Sequence, residues 1–346
     1  MKRVAILCGG PGSEHEISCL SAGGVLSAID RTEYEPVLIG ITREGKWMAL
    51  PLDYPLSLAH GALPSVSGNF PEVIREKNAL TVDGAALAID VIFPVLHGTY
   101  GEDGQLQSDL DQLGIAYVGS GAVASEQAMD KSDAKKLFSA AGISIAPGVT
   151  VTEIEWKQNP ESVIQSIVSL GLPLFVKASR GGSSRGTVKV KELSTFTSAM
   201  EEALSFDSKV LIESGIDGAE VECAVLEIDG SAQASIPGKV WIDPQYEFYD
   251  YQAKYLDGAT RIDIPAPFAA EIIEKIQSYA LTAFKAIGAK GLARVDFFVT
   301  HNGEIIINEI NTMPGFTRTS AYPKMWQATG IGYSEVITHL LKSALR

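Results

Sequence analysis

Apolar and polar positions follow one pattern in the first 113 residues of this chain. Apolar runs that predict buried strands alternate there with segments that have helical spacing, and this alternation is typical of a parallel sheet covered by helices. The stretch 44–80 contains Pro, Gly and Ser and favours no more than a small hairpin near 46–50. The predicted elements are a strand at 3–8, a helix at 17–29, strands at 36–41 and 91–96, and a helix at 104–113.

The pattern changes after a helical segment predicted at 122–141, which ends at Gly142. Beyond that point the strands come in pairs with short connections, as in antiparallel sheets. The elements expected there are strands at 174–178 and 187–190, a helix at 193–204, strands at 210–213 and 220–228, a helix at 267–287, a hairpin at 294–311 and a helix at 333–345. The chain is therefore predicted to combine an N-terminal α/β part with a following α+β part.

The hairpin has the most specific turn signal in the sequence. Asn302-Gly303 lies between stretches of apolar alternation, which favours a two-residue type I′ turn. This turn places His301 opposite Glu304, with Phe298 and Ile307 beneath the open end of the hairpin.

Counting outward from that turn brings four polar side chains to one face. Asp296 falls opposite Glu309, and Arg294 falls opposite Asn311. Like charges directly opposite each other are destabilising unless a cation lies between them. Two carboxylates and an amide oxygen suit a hard cation such as Mg²⁺. The alternative is a solvated hairpin end whose carboxylates point to water.

Composition excludes several classes of protein. The 346 residues suggest two or three domains, and the formal net charge of -14, with no run of Lys or Arg, argues against nucleic-acid binding. No stretch approaches 18 apolar residues, so we expect no membrane span. Cys8, Cys19 and Cys223 are odd in number and lack metal-like spacing. We interpret them as buried, reduced thiols of a cytoplasmic protein.

A glycine- and serine-rich loop, 179–186, connects two of the predicted strands. Its backbone N–H groups could form a nest for anionic oxygens, with Lys177 supplying positive charge at the end of the preceding strand. It is not a Walker A loop, because Thr187 stands where that motif requires lysine and a strand follows. A plain flexible hairpin is the alternative.

The turn after the first strand, GGPGSEHE, resembles a dinucleotide fingerprint but lacks its third glycine, since His15 stands there. A nicotinamide enzyme is therefore disfavoured. Glu14 in this turn could bind an ammonium group or could favour the helix N-terminus by its charge. His97 ends the third strand at the same edge of the sheet, as either a catalytic or a structural histidine.

Two later segments have features of a reaction site. The aromatic stretch 245–258 could be a partner-binding patch or a lid that excludes water. Gly315 allows close approach of the backbone, so that its N–H could serve as an oxyanion donor. Ser320 precedes a predicted helix at 321 and is suited to binding a carboxylate.

Seven motifs, taken in order, resemble the D-alanine:D-alanine ligases of the ATP-grasp superfamily over essentially the whole chain. They are GSEHEIS, HGTYGEDG, MDKSDAKKLF, VKASRGGSSRG, FYDYQAKYL, RVDFF and NEINTMPGFT. The resemblance implies an N-terminal parallel-sheet (preATP-grasp) domain, residues 1–128, that binds substrate. A two-subdomain ATP-grasp fold follows, with a central subdomain at 129–214 and a C-terminal catalytic subdomain at 215–346.

The resemblance also implies the reaction. One D-alanine carboxylate takes the γ-phosphoryl group of ATP, and the amine of a second D-alanine displaces phosphate, yielding a peptidoglycan precursor. ATP with Mg²⁺, or Mn²⁺ in its place, would be required, and the protein would be a cytoplasmic homodimer. The base that deprotonates the attacking amine is not evident from the motifs.

Roles follow residue by residue from the same resemblance. The family's metal ligands match Asp296, Glu309 and Asn311. Its phosphate-binding lysines match Lys131, Lys177 and Lys254, with Ser184 in the loop beside them. The residues around adenine and ribose match Glu213, Ile216 and Glu220. Glu14 matches the residue that binds the first ammonium group, in a hydrogen-bonded triad with Ser183 and Tyr255, and His97 also contacts that substrate. Arg294 and the Gly315 N–H match the oxyanion donors, and Ser320 matches the group that binds the second carboxylate.

Two arginines depart from the family pattern. Arg185 stands where a small apolar residue is usual, and Arg318 is also more basic than expected. Tyr255 matches the dipeptide-forming members, which favours D-alanine as the second substrate over D-lactate or D-serine. Another ATP-grasp carboxylate–amine ligase and a nucleotide-binding regulator without catalysis are the competing functions; the retained acids, Asp296 and Glu309, argue against the regulator.

Overall fold

The computed structural model describes residues 1–58, 62–182, 184–242 and 260–346, and its first part is built on a parallel sheet. Strand order in this sheet is β3-β2-β1-β7-β8, with parallel pairing throughout except for the antiparallel edge strand β3. The elements are β1 (Lys2–Gly9), α1 (His15–Ala28), β2 (Tyr34–Ile41), β3 (Trp47–Leu50), β4 (Val73–Glu76), β5 (Ala79–Val82), β6 (Ala85–Ala86), β7 (Val91–Pro94), α2 (Gln105–Leu113), β8 (Ala116–Tyr117) and α3 (Ala122–Met129).

This sheet confirms the predicted α/β part. The structure differs from the prediction in the stretch of chain between β2 and β7. The small hairpin expected near 46–50 is instead formed by β2 with β3, and a separate antiparallel sheet, β4-β5-β6, follows. The short strands of this second sheet were missed because each of them has at most one buried residue, so they show little apolar alternation.

The single helix predicted at 122–141 is two helices, divided at Asp130. Asp130 has an extended backbone, and its carboxylate accepts hydrogen bonds from the N–H groups of Ser132 and Asp133, so it caps the second helix. Ser179 and Lys209 bind the same carboxylate. The break therefore joins the helix to the glycine-rich loop and to a strand of the central sheet.

The middle of the chain forms a four-stranded antiparallel sheet with the order β11-β10-β12-β9. Helices α5, α6 and α7 pack on it around an apolar cluster that includes Val176, Phe196 and Ile212. The elements are α4 (Lys131–Ala140), β9 (Gly148–Thr152), α5 (Glu153–Gln158), α6 (Pro160–Ile167), β10 (Leu174–Ala178), β11 (Thr187–Val190), α7 (Phe196–Leu204) and β12 (Lys209–Ser214).

The last part of the chain forms a six-stranded antiparallel sheet with the strand order β16-β15-β13-β17-β18, in which β14 also pairs with β13. Its elements are β13 (Gly218–Ile228), β14 (Ser231–Ala234), β15 (Gly238–Ile242), β16 (Thr260–Asp263), α8 (Ala270–Ala286), β17 (Leu292–Thr300), β18 (Ile305–Asn311), α9 (Ala321–Thr329) and α10 (Tyr333–Ala344).

One apolar cluster connects the two ends of the chain. Residues of the N-terminal sheet, α1 and the C-terminal helices α9 and α10 pack together, and the ring of Phe316 lies 5.8 Å from that of Phe93. Cys8, Cys19 and Cys223 are buried and unpaired, as predicted. Throughout the described residues, every helix is too short or too polar to cross a bilayer.

Candidate active site

The hairpin of β17 and β18 carries the predicted acidic face, although its turn is not the one that we predicted. The backbone pairs Thr300 with Glu304, so the loop has three residues rather than two. Only Gly303 of the Asn302-Gly303 pair has a positive φ, 81°, whereas a type I′ turn requires positive φ at both. The predicted type I′ turn and the pairing of His301 with Glu304 are therefore wrong.

A second irregularity restores the register. Phe297 pairs with Ile307 and Asp296 with Glu309, so Asn308 is an extra residue that forms a β-bulge. Phe298 and Ile307, expected together beneath the open end, are not paired with each other, because Phe298 lies opposite Ile306. Beyond the bulge, the predicted pairs Asp296–Glu309 and Arg294–Asn311 are both present. The three-residue loop and the bulge each shift the register by one, and the two shifts cancel.

The acidic side chains at this end are engaged by basic groups. Nε and Nη2 of Arg294 each donate a hydrogen bond of 2.7 Å to the carboxylate of Asp296, and the Asn311 amide donates one of 3.2 Å. Nζ of Lys131 lies 3.3 Å from Oε2 of Glu309. The sheet thus brings the predicted metal ligands together with Arg294, and α4 adds Lys131.

Two adjacent cavities meet at this hairpin. The smaller cavity, about 360 Å³, and the larger one, about 490 Å³, share Lys131, Glu222 and Glu309 in their walls. Predicted site residues that line the smaller cavity are Glu14, His97, Arg294, Asn311, Gly315 and Ser320. Those that line the larger cavity are Lys177, Ser184, Glu213, Ile216, Glu220 and Asp296. The remaining predicted residues, Ser183, Lys254 and Tyr255, and the aromatic segment 245–258 lie outside the described residues.

The segments that follow strands β1 and β7 of the N-terminal sheet contribute Glu14 and His97 to the smaller cavity. Glu14 is buried at the start of α1, but its side chain makes no capping hydrogen bond to the helix. The imidazole of His97 donates from Nδ1 to the Met313 carbonyl at 2.9 Å, and its Nε2 is hydrogen-bonded to Oγ of Ser21 at 2.9 Å. Burial acts to lower the pKa of His97, but the hydrogen bond and charge of Glu102, together with the charge of Glu14 and the bond to Met313, outweigh burial, so this pKa is raised.

The loop between β18 and α9 forms the opposite wall of the smaller cavity. Oγ of Ser320 accepts a hydrogen bond of 3.1 Å from the Thr317 N–H and lies 2.8 Å from Oγ1 of Thr317. A Cβ atom at Gly315 would lie 3.2 Å from Oγ of Ser320, so glycine keeps this approach open. Ser320 is the N-cap of α9 without a side-chain capping bond. Thr317 is not among the predicted site residues, because it lines neither cavity and reaches the site only by its contacts with Ser320.

A buried group of three charges lies in the larger cavity. Lys135 Nζ is 2.6 Å from one carboxylate oxygen of Glu213, and Lys177 Nζ is 2.9 Å from the other. Burial raises the pKa of Glu213, but the two lysines outweigh burial and lower that pKa to about 2. Burial lowers the pKa of Lys135. Burial also acts to lower the pKa of Lys177, but the charge and hydrogen bond of Glu213, together with the charges of Glu309 and Glu220, outweigh it, so this pKa is raised.

Lys135 was also missed, although the sequence held a signal for it. It lies four residues after Lys131 on α4, and residues at this spacing share one face of a helix. The bulged Asn308 accepts from Lys177 Nζ at 3.4 Å, so the irregularity in β18 also contributes to this group.

Lys131 connects the glycine-rich loop to the hairpin. Its backbone N–H donates to the Ser179 carbonyl, and its Nζ donates to the Gly181 carbonyl at 2.6 Å. Arg185, the unusual cation in this loop, lies with its guanidinium 5.6 Å from the ring centre of Phe206 and is not part of either cavity wall. Arg318 lies similarly over Tyr333, at 5.9 Å.

Two family models match nearly all of the chain. The model for the D-ala D-ala ligase N-terminus matches residues 3–120, and that for the D-ala D-ala ligase C-terminus matches residues 137–342. Known D-alanine--D-alanine ligases are similar over 99% of this chain. The one from Paenarthrobacter aurescens is 44% identical with 95% of its own length covered, and that from Streptomyces coelicolor is 42% identical with 93% covered.

Solved structures show the same fold. The D-alanine-D-alanine ligase from Coxiella burnetii has a TM-score of 0.86 at 32% identity, covering 99% of this chain and 94% of that one. The VanG D-Ala:D-Ser ligase from Enterococcus faecalis also has a TM-score of 0.86, at 35% identity and 99% coverage of both chains. The predicted class, a parallel-sheet domain followed by an ATP-grasp fold, is confirmed. The chain belongs to the D-alanine–D-alanine ligase family.

Proposed function

We propose that this protein joins two molecules of D-alanine to D-alanyl-D-alanine through a D-alanyl phosphate intermediate, with ATP converted to ADP, for synthesis of a peptidoglycan precursor. The observation that carries the proposal is the pair of adjacent cavities that share Lys131 and Glu309. A phosphoryl group passing from nucleotide to substrate has to cross such a boundary. Family membership, with 44% identity to a D-alanine--D-alanine ligase, supports the same reaction.

The larger cavity is the proposed ATP site. Ile216 and the apolar wall around Phe298 offer a surface for the adenine base, with Glu213 and Glu220 as its polar partners. Lys131 and Lys177 are placed to bind phosphate oxygens, next to the loop residue Ser184. Positive charge at this place would stabilise the transferring phosphoryl group. Lys254 has the same proposed role through the family resemblance.

Asp296, Glu309 and Asn311 are the proposed ligands of Mg²⁺, or of Mn²⁺ in its place. Their donor set consists of oxygen atoms, which hard divalent cations prefer. Within the described residues there is no cluster of three His, Cys, Asp or Glu side chains suited to a metal. A site with only two carboxylates fits a cation that shares its coordination with phosphate and water. Bound there, the cation would neutralise charge on the phosphates.

The smaller cavity is the proposed amino-acid site. Glu14 would bind the ammonium group of the first D-alanine, with His97 beside it, and the family resemblance adds Ser183 and Tyr255. Arg294 and the N–H of Gly315 would donate to the oxyanion. Ser320 would bind the second carboxylate, because its hydroxyl is held by Thr317 and not by its own helix.

The second substrate is open to one specific alternative. A D-Ala:D-Ser ligase is among the similar structures, at 35% identity, so D-serine is a candidate acceptor; D-lactate is another within this family. Both would use the same activation step, and another carboxylate–amine pair would as well. The acceptor is distinguished by product mass rather than by ATP use.

Purified protein with ATP, Mg²⁺ and D-alanine should release ADP and phosphate and form a product with the mass of the dipeptide. L-alanine serves as the matched control and should give background ADP release. Turnover only when D-serine or D-lactate accompanies D-alanine would replace the proposed acceptor. Tight ATP binding with no ADP release for any amino acid would indicate a regulator.

The proposal extends to domain organisation, assembly and location. Boundaries at 128/129 and 214/215 are supported by the separate sheets, which end at Tyr117, Ser214 and Asn311. A homodimer, proposed from the family resemblance, predicts a mass in solution twice that of one chain, measured by light scattering. Three unpaired, buried cysteines support a cytoplasmic location.

A further inference from the structure

Glu222 is a buried acid in the walls of both cavities and is not among the predicted site residues. On β13 it is paired with Asp296 of β17, which is itself paired with Glu309 of β18. Three carboxylates therefore lie in one row across three neighbouring strands. The side chain of Glu222 is only 4% exposed. Directly opposed residues have Cβ atoms about 4.5 to 5.5 Å apart, so such a row needs cations to be stable.

Arg294 is the cation that two of these acids share. Its Nε and Nη2 each donate to a different oxygen of Asp296 at 2.7 Å, while Nε also lies 3.4 Å from Oε1 of Glu222. The third acid, Glu309, is paired with Lys131. Arg294 is thus held mainly by Asp296, with Glu222 as its second carboxylate.

Arg294 competes with a metal for the charge of Asp296. Both oxygens of Asp296 accept from the guanidinium, and Oδ2 also accepts from the Asn311 amide, so a cation bound by Asp296 would lie beside the arginine charge and be repelled by it. The arginine stays charged, and its largely buried guanidinium needs another anionic partner. Glu222 is already within ion-pair distance, on the neighbouring strand.

We infer that Glu222 is a positioning residue that receives Arg294 when Asp296 engages the metal, and that it keeps the guanidinium at the wall of the amino-acid cavity. The inference rests on the proposed function. Without the charge of Glu222, Arg294 stays on Asp296 and competes with the cation. The metal-dependent part of nucleotide binding therefore becomes weaker, while binding of the nucleotide alone is unaffected.

Calorimetric titration of ADP at a series of Mg²⁺ concentrations tests this. Mg²⁺ is expected to tighten the binding of ADP. Glu222→Gln should raise the Mg²⁺ concentration that gives half of this effect roughly tenfold, which is within the range of interaction energies between charged side chains in contact. ADP affinity without Mg²⁺ should match that of the unmodified protein. Glu227→Gln is the matched control: it removes the same charge from β13, where Glu227 instead accepts from the Gly291 N–H at 2.6 Å. An unchanged Mg²⁺ requirement in Glu222→Gln would overturn the inference.

A double-mutant cycle separates positioning from direct attraction between Glu222 and the cation. Arg294→Gln frees Asp296 and should lower the Mg²⁺ requirement. Adding Glu222→Gln to that variant should then change the Mg²⁺ requirement less than about twofold, because Arg294, through which Glu222 acts, is already absent. A persistent tenfold effect would mean that Glu222 acts on the cation itself, against the inference.

Two further measurements keep the outcomes distinct. If circular dichroism shows that Glu222→Gln does not fold, Glu222→Asp takes its place, because it retains the charge on a shorter side chain. Glu222→Asp should give an intermediate Mg²⁺ requirement. A requirement equal to that of the unmodified protein would count against the role of Glu222. Absence of Mg²⁺-dependent ADP binding in the unmodified protein would contradict the proposed function instead.

Discussion

Lys131 Nζ lies 3.3 Å from Glu309 Oε2, and both side chains line both cavities. The same ammonium group donates to the Gly181 carbonyl at 2.6 Å. One ion pair therefore connects the glycine-rich loop of the central sheet with the acidic end of the C-terminal hairpin. The boundary between the proposed nucleotide and amino-acid sites depends on these two residues.

Glu309→Gln should lower turnover by at least about 100-fold, because it removes a charge that the proposed cation requires while preserving the shape of the side chain. ADP release measures turnover, and thermal melting checks that the fold is retained. Glu304→Gln, at the exposed turn of the same hairpin, should keep activity within about twofold. Near-normal turnover in Glu309→Gln would contradict the metal site.

Lys135→Met should destabilise the protein by about 1 to 3 kcal/mol, since one oxygen of the buried Glu213 loses its charged partner while Lys177 remains. The Michaelis constant for ATP should rise in parallel. Urea unfolding and ATP titration of the rate measure the two effects. Lys136→Met, at the next and exposed position of α4, should change neither; equal effects of both substitutions would exclude a special role for Lys135.

Acid should remove part of the stability through Glu213. Its pKa is lowered in the folded protein from 4.5 to about 2, so its contribution is complete above pH 4.5 and is lost as the pH falls towards 2. The loss should be on the order of 3 kcal/mol at full protonation. The free energy of unfolding, measured with urea from pH 6 to pH 3, should fall less steeply with pH in Lys135→Met than in the unmodified protein. An identical pH dependence in the two proteins would contradict the assignment of this loss to Glu213.

Thr317→Val should raise the Michaelis constant for the second D-alanine roughly two- to tenfold, as expected for one hydrogen bond, with little change in ATP affinity. The hydroxyl of Ser320 would lose its contact with Oγ1 of residue 317 and keep only the hydrogen bond from the backbone N–H of that residue. Thr317→Ser retains the hydroxyl and should behave as the unmodified protein does. Initial rates at varied D-alanine concentrations measure the effect, and failure of the serine variant to rescue would indicate loss of packing instead.

Arg185→Leu should change ATP affinity less than about threefold, because the guanidinium contacts Phe206 rather than a cavity wall. Lys177→Met should weaken ATP binding far more, since that lysine lies in the larger cavity. Comparable losses in the two variants, measured by calorimetry, would place Arg185 beside the nucleotide after all.

Much of the architecture was accessible from local pattern. The alternation of apolar runs with helical spacing predicted the parallel sheet, because strands covered on both faces are continuously apolar, whereas the helices that cover them are apolar on one face. The acidic face of the hairpin was found because residues at a spacing of two share a face. The prediction reached the right pairs through a wrong turn: a loop one residue longer and a bulge at Asn308 compensate each other, and bulges have no reliable local signal.

The amino-acid sequence alone was sufficient for the family resemblance, the parallel sheet and the buried cysteines, since these depend on residue type and short-range periodicity. It also put Asp296 and Glu309 on one face of the hairpin, but their direct pairing depends on the bulge at Asn308. Tertiary structure decided which strands became neighbours. The row of Glu222, Asp296 and Glu309 exists because β13 pairs with β17 and β17 with β18. Two lysines bind Glu213 because α4, which packs on β18 and α8, brings Lys135 next to a strand of the central sheet that also lies beside Lys177. Such contacts join residues far apart in the chain, and their energies arise only once burial brings the charges together.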